Sequence, residues 1–87
     1  MMHHNLLIDN FVSTKNHLCT PDKISNWKSL TEAKKKCGED NECTMFFDDC
    51  GNGKFYYCSV GAIILSSGCG STLYESGKLL KLHSLSA

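Results

Sequence analysis

Apolar residues change their period along this chain. Leu6-Leu7-Ile8 through Phe11-Val12 is an apolar, β-prone run that predicts a strand ending near Ser13. Thr20-Pro21-Asp22 reads as a turn, because proline fixes φ and an aspartate can hydrogen-bond the backbone two residues on. Ser29-Leu30-Thr31-Glu32 then has the form of a capping box. Leu30, Ala33 and Cys37 follow at helical spacing as one buried stripe, with Lys34, Lys35 and Lys36 on the other sides and Gly38 as the stop.

After Cys43 the period becomes two. Met45 and Phe47 fall on the face of Cys43, and Thr44, Phe46 and Asp48 on the other. Asp49-Cys50-Gly51-Asn52-Gly53 predicts a turn, with Asn52-Gly53 supplying positive φ, and Lys54 to Val60 a second strand, so the pair reads as a hairpin. The small-residue loop Ser66 to Gly70 leads into another strand, Ser71 to Glu75. These elements predict an α+β fold, an antiparallel sheet packed on a single helix.

Cys19, Cys37, Cys43, Cys50, Cys58 and Cys69 add a second constraint. Six cysteines in 87 residues read as a disulfide framework and an oxidising compartment, hence a secreted or extracellular protein. A chain this short buries roughly 60–65% of its unfolded surface, so bridges at about 2–4 kcal/mol each supply a needed part of its stability. Spacing alone leaves fifteen possible pairings open.

Charge removes several function classes. Nine basic residues, all Lys, balance nine acidic ones. The basic surplus and guanidinium forks of a nucleic-acid binder are both missing. No apolar run reaches the roughly 20 residues a membrane-spanning helix needs. Met1-Met2-His3-His4 lacks the pattern of a secretory signal, so residues 1–4 read as an expression-derived extension, with the signal removed or the chain cut from a larger multidomain extracellular protein. The domain then covers residues 5–77, and residues 78–87 a C-terminal strand or tail.

A capped helix ends in Cys37, and Cys43 opens a strand of Met45-Phe46-Phe47. Phe55-Tyr56-Tyr57-Cys58 follows, and then Cys69 before Leu73-Tyr74. This arrangement resembles the PAN/apple domain, chiefly in the run Ala33-x3-Cys37-x5-Cys43-x2-Phe46. The resemblance implies an antiparallel sheet cradling one helix and three nested bridges, Cys19–Cys69, Cys37–Cys58 and Cys43–Cys50. It also implies a non-catalytic module that binds protein or carbohydrate ligands.

Rival chemistries fit less well. The cysteines have no close pair of the kind that structural zinc uses, and His17 and His83 are isolated. A calcium loop begun at Asp48 puts Cys50 at a ligand position and Ser59 where a bidentate Glu belongs. Bridged cysteines leave no thiolate, and no Ser or carboxylate pair is placed beside a base, so neither catalysis nor a cofactor is expected. Trp27 reads as a lid over the core or as an exposed platform for a sugar or peptide. Lys34, Lys35 and Lys36 read as a solvated helix face, or with Lys28 and Lys54 as a contact for an acidic ligand. Trp27, Lys28, Lys34, Lys35 and Lys54 are therefore the candidate ligand contacts. The alternatives are a secreted toxin or protease inhibitor presenting Lys54 on a loop, and a spacer with no ligand of its own.

Overall fold

Ser29 starts the helix as its spacing predicts. In the computed structural model, which describes residues 11–77, its Oγ accepts the Glu32 N–H at 3.1 Å. The Glu32 carboxylate reaches back to the Lys28 N–H at 2.8 Å, one residue before the cap. The helix, α1 (Leu30–Glu39), continues through Gly38 and is capped by Asp40, whose N–H donates to the Cys37 carbonyl. Gly38 is thus not the stop; a Cβ there would meet the Phe11 ring at 4.0 Å, an ordinary contact. Ala33 and Cys37 are buried, whereas Leu30 lies at the rim, 37% exposed.

Seven strands accompany the helix in the described residues: β1 (Phe11–Lys15), β2 (His17–Thr20), β3 (Lys23–Ile24), β4 (Met45–Asp48), β5 (Phe55–Cys58), β6 (Ile63–Ser66) and β7 (Thr72–Ser76). Five form an antiparallel sheet in the order β1-β7-β4-β5-β3. The predicted hairpin is β4–β5, with Met45 opposite Cys58 and Asp48 opposite Phe55. In its loop Gly53 takes positive φ as expected, but Asn52 does not; Cys50 and Gly51 do instead. The second strand of the hairpin stops at Cys58, short of Val60, and the strand expected at Ser71 begins at Thr72.

A separate antiparallel pair, β2–β6, was not legible in the pattern. It adds a third layer and explains why β4 is buried on both faces. Ala33, Cys37, Cys43, Phe46 and Phe55 pack on the helix side with Phe11, Trp27, Tyr57 and Tyr74. Cys19, Met45, Phe47, Cys58 and Leu73 pack on the other side with Leu18, Tyr56 and Ala62. Cys43 therefore joins Phe46, not Met45 and Phe47. It precedes the first paired residue of β4, so strand alternation does not govern it.

The bridges are Cys19–Cys58, Cys37–Cys43 and Cys50–Cys69, and no cysteine is free. None of the pairs that the resemblance implies is formed, and the set is not nested, because Cys50–Cys69 crosses Cys19–Cys58. Cys37 and Cys58 cannot meet because they lie in clusters on opposite faces of the sheet. Cys43 and Cys50 flank opposite ends of β4, which spans roughly 13 Å at strand rise, beyond the roughly 7 Å Cα separation a bridge tolerates. Cys19 lies opposite Ile64, while Cys69 lies past the end of β6. The observed bridges join β2 to β5, the end of α1 to the entry of β4, and the hairpin loop to the approach of β7. The readings of residues 1–4, of Leu6-Leu7-Ile8 and of residues 78–87 fall outside the described residues.

Candidate functional site

Pro21 to Trp27 runs across the outer edge of the sheet and is fastened there by Ser25. The Ser25 N–H and Oγ both donate to the Phe55 carbonyl, at 2.9 and 2.8 Å. Ser25 Oγ also accepts the Trp27 N–H at 3.2 Å. Trp27 is thereby laid against Tyr57, with ring centroids 5.3 Å apart, and its edge meets Phe46 at 6.0 Å. Trp27 is partly buried and packs against the helix-side core cluster, as the lid reading expects, and its remaining surface lines the groove described next.

An open groove of about 540 Å³ lies at this point, lined by Ile24, Ser25, Asn26, Trp27, Lys36, Asp40 and Tyr57. Lys36 and Asp40 are four residues apart, one helical turn, which puts an ammonium and a carboxylate on the same wall. That wall is rigid. Asp40 Oδ1 accepts the Glu42 N–H at 2.8 Å, its carbonyl accepts the Cys43 N–H at 3.0 Å, and the Cys37–Cys43 bridge closes the loop around it. A smaller cleft of about 230 Å³, lined by Pro21, Asp22, Lys23 and Val60 among others, shares Tyr57 with the groove. The Thr20–Pro21 peptide entering it is cis.

The predicted contacts divide. Trp27 lines the groove; Lys28, Lys34, Lys35 and Lys54 do not. Lys35 pairs with Glu39 at 3.2 Å on an exposed face. The Lys34 ammonium lies 5.9 Å from the centre of the Tyr74 ring. Burial first, and then the Asp48 carboxylate, raise the Tyr74 hydroxyl above its ordinary pKa. Lys54 sits in the hairpin loop, its N–H held by Asn52 Oδ1 at 3.1 Å. Two groove residues, Tyr57 and Lys36, were not among the predicted contacts, and Lys36 was read with its neighbours as solvated. The four-residue interval between Lys36 and Asp40 was the available signal.

Comparison with family models, curated proteins and solved structures gives no match. The site is therefore read from its own chemistry. Two aromatic rings, inclined to each other by 33°, offer an apolar surface, Asn26 and Lys36 offer donors, and Asp40 and Asn26 offer acceptors. No thiolate is present, since all six cysteines are paired. Among the described residues no group of three or more His, Cys, Asp or Glu converges, and no helix is long and apolar enough to cross a membrane.

Proposed function

We propose that this chain is an extracellular, non-catalytic binding module and that the Trp27–Tyr57 groove holds its ligand. The carrying observation is an aromatic surface, fixed from beneath by the core, beside a bridge-braced wall that bears Lys36 and Asp40. A surface already ordered before binding loses little freedom when a ligand arrives. The ligand class that fits has one apolar face and several hydroxyl or amide groups, which describes a pyranose or a short peptide segment. Three disulfides favour an oxidising compartment. The resemblance to PAN/apple domains agrees with this reading in its helix and sheet; the bridge pairing lends it no support.

Arrays of oligosaccharides and of peptides, probed with the wild type and with the double variant Asn26→Ala, Lys36→Ala, test the proposal. Both residues are exposed, so the fold survives their loss. Binding by the wild type and its loss in the variant support the groove. Equal binding by both, or no binding to either array, removes it. The Cys50–Cys69 bridge beside the Asp49–Lys54 loop favours one competing reading, a protease inhibitor. Inhibition of a trypsin-like protease that disappears in Lys54→Ala would establish that reading instead.

A further inference from the structure

Sheet edges expose unpaired backbone groups, and soluble proteins usually blunt them with charge, proline or shortness. Two edges here follow that rule. β1 ends in the polar run Ser13-Thr14-Lys15, and β3 is only two residues long and begins with Lys23. β6 does not follow it. This strand, Ile63-Ile64-Leu65-Ser66, pairs with β2 on one side, and all four residues are exposed. Ile63 is 58% exposed, Ile64 45% and Leu65 44%, and Val60 just before them is 72% exposed. From Phe55 through Tyr74 the sequence has neither a charged residue nor a proline.

We propose that β6 pairs antiparallel with β6 of a second copy of this chain, about a two-fold axis through Ile64. An uncharged apolar edge is complementary to itself, and at zero net charge two copies approach without long-range repulsion. A two-fold axis normal to the sheet sets opposed residues on the same face. That leaves two central registers. Centring on Ile64 sets it against its own copy and sets Ile63 against Leu65, so every apolar side chain of the strand meets another. Centring on Leu65 would set Ile64 against Ser66 and leave apolar surface in water. The product is a four-stranded sheet, β2-β6-β6-β2. A contact one short strand wide falls below the roughly 1,200 Å² of a standard stable interface, so the dimer is reversible and dependent on concentration.

Sedimentation velocity of the oxidised chain, from micromolar to near-millimolar concentration, tests the inference independently of the ligand groove. The mean mass should rise from one copy toward two. Ile64→Lys sets like charges face to face across the axis and should abolish that rise. Val12→Lys, on the exposed apolar position of β1, should leave it intact. A wild type of single-copy mass throughout overturns the inference. So does an Ile64→Lys variant that dimerises normally, or a Val12→Lys variant that fails to. Amide exchange of the wild type needs no variant: the 63–66 amides should gain protection on concentration, and unchanged exchange there would also overturn it.

Discussion

Phe46 and Tyr74 stack across adjacent strands with ring centroids 4.9 Å apart, inclined by 16°. They are direct partners in the β4–β7 register, so the sheet itself brings the two rings face to face. Phe11, Trp27 and Phe55 approach the same Phe46 ring at 5.3 to 6.1 Å. One fully buried side chain thus joins both flanking strands to the floor of the groove.

Phe46→Ala should therefore destabilise the chain by about 3–5 kcal/mol, the usual cost of emptying an aromatic core site. In a domain of this size that lowers Tm by more than about 10 °C. Leu30→Ala, at the rim of the same face, should move Tm by only a small part of that. Thermal unfolding of both variants is the check, and comparable losses would show that Phe46 is not the centre of the cluster.

The bridges should yield to reductant in order of burial. Cys19, Cys37, Cys43 and Cys58 are 0–1% exposed, whereas Cys50 and Cys69 are both exposed. Limited treatment with a small dithiol, followed by alkylation and peptide mapping, should label Cys50 and Cys69 first. Replacing that pair by serine should leave a folded protein weakened by about 2–4 kcal/mol. Cys19–Cys58 closes the longest interval, 39 residues, so its removal should cost more. Early labelling of Cys37 or Cys43 would contradict this order.

Tyr74 makes stability sensitive to alkali. Burial and the Asp48 carboxylate raise its pKa, so the folded state holds this proton more tightly than the unfolded state does. Its contribution is complete below the unfolded value, about 10, and is lost as pH rises through the higher folded value. Denaturant unfolding should show stability falling above about pH 10. In Tyr74→Phe that fall should be shallower; an unchanged slope would assign it to other groups.

Much of the helix side of the fold was legible. The capping serine, the Ala33–Cys37 stripe and the β4–β5 hairpin all depend on residues within a few positions of one another, where local hydrogen bonds and side-chain period decide the outcome. The β2–β6 layer was not legible, because Ile63-Ile64-Leu65 shows no alternation and its partner His17–Thr20 lies far away in the chain, with no tight turn between them to announce the pairing. The groove was half legible. Trp27 stands out as a type, but Tyr57 lines the groove only because β3, which pairs with it through Lys23, ends the sheet there.

The amino-acid sequence alone determined that this is a small cysteine-stapled α+β domain, with its helix beginning at Ser29 and a hairpin following Cys43. Those properties follow from composition and near-neighbour chemistry. Tertiary structure decided which sulfurs meet, which face each aromatic covers, and that Lys36 and Asp40 line one groove with Trp27. A bridge forms between the cysteines that packing brings within about 7 Å. That proximity is set by how the layers stack, and no spacing along the chain encodes it.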